Sequence, residues 1–130
     1  MNLDTLKSMF AGNSAGGVQV ETISGPSAVQ FHGDADTVFV DVRSHGEVQA
    51  SGTVKGAIVA PLPEFANHAQ PEGGGALPSV EANKRIILVC ASGARSGAAA
   101  QQLVGLGYTQ VANLRGGIGA WMQAGGPVGR

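Results

Sequence analysis

The sequence predicts an α/β domain in which a mostly parallel five-stranded sheet carries helices on both faces. Two apolar runs lead to this reading. Thr37-Val38-Phe39-Val40-Asp41-Val42 and Ile86-Ile87-Leu88-Val89 are rich in β-branched residues, and their continuous apolarity suits strands buried on both faces. Each is followed by a short turn and then a segment with helical composition, the alternation that parallel sheets require. At 130 residues the chain fits one such domain, with length for a single substantial core.

Taken in order, residues 1–10 place Leu3, Leu6, Met9 and Phe10 near one face of a helical turn or two, and Ala11 to Gly17 reads as a linker. Residues 1–17 are therefore a leader, either a flexible tail or a docking helix. The main domain spans 18–126. Val18 to Ile23 alternates as a strand, and Ser24-Gly25-Pro26 breaks it before a helical turn toward Phe31. After the 37–42 strand, Arg43-Ser44 opens a short helix ending near Gly52. Val54 and Ala57-Ile58-Val59 read as one further short strand, stopped by Pro61 and Pro63. A brief helix over 64–68 and a Gly/Pro-rich surface loop over 70–78 follow. Beyond the 86–89 strand, a helix runs from Ser96 to Leu106, Gln110 to Leu114 forms a strand, and Ile118 to Ala124 a closing helix. Residues 127–130 read as a frayed end.

Composition excludes several functions. A net charge of −1 and the absence of basic runs interleaved with aromatics argue against nucleic-acid binding. No apolar stretch approaches the roughly twenty residues that span a bilayer, and the first twenty residues show no basic-then-apolar secretory pattern. The single cysteine rules out an internal disulfide and suits a reducing compartment. A cytoplasmic location is expected, with no membrane partner. His32, His45 and His68 lie in separate segments without metal-ligand spacing, so neither a metal nor another cofactor is expected.

That one cysteine is the chain's most informative residue. Cys90 ends the central apolar run and begins the loop Ala91-Ser92-Gly93-Ala94-Arg95-Ser96, which leads into a helix. Lone cysteines are often only small core hydrophobes. Here, small residues, a glycine and an arginine suit a cradle of backbone N–H groups beside a positive helix terminus. A thiol in that setting loses its proton readily and becomes a nucleophile.

Three stretches together resemble the single-domain rhodaneses, a sulfurtransferase family. Val40-Asp41-Val42-Arg43, Glu47, Gly52-Thr53-Val54-Lys55-Gly56-Ala57 and Pro61 are similar to the family's DVR…E…GHI-x-GA…P pattern. Cys90 to Ser96 matches its CxxGxRS loop, and Leu114-Arg115-Gly116-Gly117-Ile118-Gly119-Ala120-Trp121 its closing L-x-GG-x-x-AW. The resemblance spans roughly residues 18 to 124 in the family's order. It implies a rhodanese-like fold and a Cys90 persulfide that moves sulfane sulfur. The donor is a small anion such as thiosulfate or a persulfide-bearing protein, and the acceptor is cyanide or a thiol. The loop N–H groups from Ala91 to Ser96 would hold the negative charge, while Arg95 would either attract an anionic donor or point into the scaffold. Cys90 and Arg95 enclose four residues, one fewer than in phosphatases of the same fold, a tighter ring that suits sulfur. A non-catalytic interaction domain is the alternative function. Thr53 departs from the family's histidine, so that residue's hydrogen bond is replaced or lost.

Asp41 and Arg43 are expected to pair and support the scaffold, since buried charges persist mainly when paired. Arg115 either adds positive potential at the mouth or is a solvated surface residue, and His45 is expected at the surface. Trp121 is expected to anchor the last helix.

Overall fold

The computed structural model describes residues 3–11, 20–66 and 84–129. Its strands are β1 (Glu21–Ile23), β2 (Thr37–Asp41), β3 (Thr53–Val54), β4 (Ile58–Val59), β5 (Arg85–Val89), β6 (Gln110–Leu114) and β7 (Val128–Gly129). The helices are α1 (Leu3–Ala11), α2 (Gly25–Gln30), α3 (His45–Ser51), α4 (Ala94–Gly105) and α5 (Gly117–Gln123), with a 3-10 turn at Leu62–Glu64. Five strands form a parallel sheet in the order β1-β6-β5-β2-β4. One row of side chains crosses it as Glu21, Ala112, Ile87 and Phe39.

The apolar run of β5 works as expected of a strand covered on both sides. Ile86, Leu88 and Cys90 join one core cluster with Ala99, Ala100 and Leu103 of α4 and with Phe65. Ile87 and Val89 join the opposite cluster, with Leu6 of α1, Phe31, Phe39 and Trp121 of α5. Trp121 is fully buried, packs edge-on against Phe39 at 5.1 Å, and donates its indole N–H to the Pro127 carbonyl at 2.9 Å. Large aromatics of this kind supply much of a small domain's buried apolar area.

Several details depart from the sequence reading. The single strand expected over Val54 and Ala57–Val59 is two strands in different sheets. Lys55-Gly56 makes a turn, with Gly56 at φ +86, a left-handed conformation that glycine adopts without steric cost. That turn frees Thr53–Val54 to pair antiparallel with Val128–Gly129, while Ile58–Val59 joins the main sheet beside β2. Where the sequence suggested a frayed end over 127–130, residues 128–129 thus form β7. In the leader, α1 seats Leu6 in the core at 1% exposure, and Lys7 reaches Asp34 at 3.6 Å. The helix expected over 64–68 begins earlier, as the Leu62–Glu64 turn, and its end lies outside the described residues, as do the 70–78 loop and His68.

Candidate active site

Cys90 stands at the carboxyl end of the central strand β5, where open parallel sheets present their ligand sites. Gly93 carries the chain through the loop at φ +109 and serves as the N-cap of α4 without a side-chain cap. The first turn of the helix therefore keeps backbone donors free. The Gly93 N–H reaches Cys90 Sγ at 2.9 Å, and Ser96 Oγ lies 3.3 Å from the same sulfur. Burial pushes the thiol pKa up. The Ser96 hydroxyl and the backbone N–H groups of Ser96, Gly93 and Ser92 outweigh it and leave the pKa below the usual thiol value. Cys90 itself is fully buried, while Ala91, Ser92 and Ala94 of the loop are exposed.

The next strand–helix turn closes the back of the loop. A Cβ on Gly117 would collide with the carbonyl oxygens of Cys90 and Ala91. Ile118 N–H donates to the same Cys90 carbonyl at 2.9 Å. Only glycine permits this approach, so Gly116-Gly117 positions the cysteine backbone as well as turning the chain.

Asn113 is a site residue that the sequence reading missed. Its Nδ2 donates to the Gly93 carbonyl at 2.9 Å, and its Oδ1 accepts from Ser96 Oγ. The amide thereby ties the middle of the cradle and its helix-side end to β6. An amide just before the last residue of an otherwise buried strand, beside the cysteine strand, was the available signal. Ser96 Oγ has one proton and three neighbouring acceptors, namely Cys90 Sγ, Asn113 Oδ1 and the Gly93 carbonyl. It serves one of them at a time.

Arg95 does not face the sulfur as a free cation. Its Nη1 and Nη2 bind Glu47 Oε1 and Oε2 at 2.7 and 2.8 Å, and both side chains are 38% exposed. Glu47 is held from its own side too, because Ser44 N–H and Oγ donate to Oε1 in a capping box that starts α3. The Arg95 guanidinium, then Ser44, hold the Glu47 carboxyl at about 2. The Ser44-x-x-Glu47 spacing was an available signal for that cap, unused in the sequence reading, but nothing local pointed to the arginine partner.

Asp41 and Arg43 form a second pair, fully enclosed. Arg43 Nε and Nη2 donate to Asp41 at 2.8–3.1 Å, and Nη1 and Nη2 also reach Ser51 Oγ and the Gly52 carbonyl. Thr53 Oγ1 donates to Asp41 Oδ2 at 2.6 Å, which supplies a hydrogen bond where the family pattern has histidine. Arg115 is exposed at the end of β6, and His45 is exposed on α3. His32 packs its ring at 5.7 Å from that of Trp121, and its Nε2 contacts the Lys55 carbonyl oxygen. Among the described residues, no three His, Cys, Asp or Glu side chains gather as a metal site, and no helix is long and apolar enough to cross a membrane.

A family model for the rhodanese-like domain matches residues 27–124. A sulfurtransferase of Allochromatium vinosum is 36% identical over 93 residues, covering 72% of this chain and 78% of its own length. Among solved structures, a protein of unknown function from Rhodopseudomonas palustris, described as a possible tyrosine phosphatase, superposes with a TM-score of 0.77. It is 30% identical, over 98% of this chain and 90% of that one. The human single-domain sulfurtransferase TSTD1 superposes with a TM-score of 0.67 at 28% identity, over 81% of this chain and 97% of its own. With a model match over most of its length and a relative of this identity and coverage, the chain belongs to the rhodanese-like domain family.

Proposed function

We propose that the protein is a sulfurtransferase that carries sulfane sulfur on Cys90. The observation that supports this best is the Gly93 N–H at 2.9 Å from Sγ, in a loop whose backbone donors hold the sulfur ready as an anion. With thiosulfate, Cys90 thiolate attacks the outer sulfur. A new S–S bond forms, the bond to the sulfonate sulfur breaks, and its electron pair leaves with sulfite. The same donors then face the persulfide anion. Cyanide or a thiolate attacks the terminal sulfur, takes it as thiocyanate or a new persulfide, and returns the electron pair to Sγ as thiolate. Two half-reactions on one nucleophile give ping-pong kinetics.

The thin cover over Cys90 also favours sulfur. Cys90 is fully buried beside the exposed loop residues Ala91, Ser92 and Ala94, a setting that suits a narrow sulfane chain better than a tetrahedral phosphate. The four-residue spacing between Cys90 and Arg95 argues in the same direction.

Intact-protein mass spectrometry tests the reading. After brief incubation with thiosulfate or a small hydropersulfide, wild type gains one sulfur, Cys90→Ser gains none, and cyanide removes the added mass as thiocyanate. Failure of every donor, including a cysteine desulfurase supplied with cysteine, to load Cys90 would leave a non-catalytic interaction domain as the better reading.

A further inference from the structure

We propose that Glu47 sets the class of sulfur donor by withholding Arg95 from dianionic donors such as thiosulfate, which leaves the site suited to sulfur delivered as a persulfide of a thiol. This deepens the sulfurtransferase reading and rests on it.

The argument starts from geometry. Arg95 presents both terminal nitrogens to Glu47 in a fork-to-fork pair at 2.7 and 2.8 Å, the arrangement in which a guanidinium binds a carboxylate most specifically. Glu47 is not a loose partner that an incoming anion displaces. Its Oε1 is pinned by Ser44 N–H at 3.2 Å and Ser44 Oγ at 3.1 Å, at the start of α3. The carboxyl also stays ionised through the neutral and mildly acidic range, because Arg95 holds it at about 2. Any anion bound to the Arg95 guanidinium would therefore sit close to a fixed carboxylate.

Donor chemistry determines who is affected. Thiosulfate brings two negative charges, and its departing sulfite keeps two, so charge at the sulfonate end must be met at the mouth in every step. A paired guanidinium meets it poorly, because the carboxylate cancels the attraction. A hydropersulfide reacts differently. Cys90 thiolate attacks its outer sulfur, the inner S–S bond breaks, and the pair leaves on a carbon-bound thiolate with a single charge. The proton stays on the transferred sulfur. That reaction asks nothing of Arg95 beyond what the loop N–H groups already supply to Sγ.

Glu47→Gln is the variant to make, because glutamine keeps an acceptor for Ser44 N–H and so preserves the capping box. The readout is the second-order rate of loading Cys90, followed by mass spectrometry, with two donors. These are thiosulfate and hydroxyethyl persulfide formed from bis(hydroxyethyl) disulfide and sulfide. Glu47→Gln is expected to speed loading from thiosulfate about fivefold or more, as expected when one opposing charge near the reacting anion is removed. Loading from hydroxyethyl persulfide is expected to stay within about twofold of wild type. The thiosulfate gain should shrink at high salt, as charge effects at an exposed site do, and disappear in the Glu47→Gln/Arg95→Gln double variant. A parallel change with both donors overturns the proposal, as does no thiosulfate gain or a gain that survives loss of Arg95. Wild type that loads from neither donor, nor from a cysteine desulfurase supplied with cysteine, overturns the sulfurtransferase reading itself, a separate result.

Discussion

Asp41–Arg43 and Glu47–Arg95 are both forked arginine–carboxylate pairs, and both begin where a strand hands over to a helix. They differ in what surrounds them. Asp41 and Arg43 are almost wholly enclosed, at 0% and 3% side-chain exposure, and Thr53, Ser51 and the Gly52 carbonyl satisfy their remaining polar atoms. Glu47 and Arg95 stand 38% exposed at the edge of the candidate site, with Ser44 as their main neighbour. A desolvated pair binds the fold, since removing one partner strands a buried charge. A solvated pair contributes little to stability, because water screens it and its long side chains lose entropy in pairing. What it retains is control over the charge that an approaching molecule meets. The same chemistry thus serves the scaffold in one place and selectivity in the other.

The strongest way to test this division is Asp41→Ala. It leaves Arg43 buried without its carboxylate and should cost about 3–5 kcal/mol in urea unfolding. Against a typical domain stability of about 5–15 kcal/mol, that is a large fraction. The folded fraction should still load sulfur with the wild-type preference between donors. A changed preference in Asp41→Ala would join the two pairs into one functional unit and end the distinction. Thr53→Val is the gentler probe of the same pair. It removes one hydrogen bond to a buried carboxylate, an expected loss of about 1.5–3 kcal/mol. A near-neutral result would mean that Arg43 alone satisfies Asp41.

These pairs also mark where the sequence stops being legible. The α/β class, the mostly parallel sheet of buried strands and the placement of Cys90 at a strand end could be read because each depends on patterns of contiguous residues. Periodicity identifies β5, small residues identify the loop, and alanines and glutamines identify α4. The pairing of Asp41 with Arg43 was within reach for the same reason, since only one residue separates them. Glu47 and Arg95 lie 48 positions apart, and Asn113 lies 17 beyond Ser96, so their meetings depend on sheet order and on which face each side chain takes. The split of residues 53–59 into two strands had a local cause in Gly56, but its partner strand lies at residues 128–129. Period-two reasoning within one segment carries no information about such a partner.

The smallest expected effect lies at Ser96, and it separates the cradle from the two ion pairs. If Glu47–Arg95 governs which donor arrives, the ionisation of Cys90 belongs to the loop alone. Ser96→Ala removes a hydroxyl that stands 3.3 Å from Sγ and leaves the Gly93 N–H in place. The thiolate loses a donor, so its pKa rises, and the inflection in the pH dependence of iodoacetamide alkylation moves to higher pH. Below that inflection the thiolate fraction falls, so alkylation at neutral pH slows; well above it the two proteins converge. A full hydrogen bond to a charged group contributes about 1.5–3 kcal/mol, but this proton is shared with Asn113 Oδ1. The slowing should therefore be modest, about threefold at pH 7. Glu47→Gln, by contrast, should move the inflection only slightly and to lower pH, because Glu47 makes no hydrogen bond to Sγ and reaches it only through the Arg95 charge that it offsets. A shift there as large as in Ser96→Ala would mean that the exposed pair acts on the sulfur itself and not on the donor.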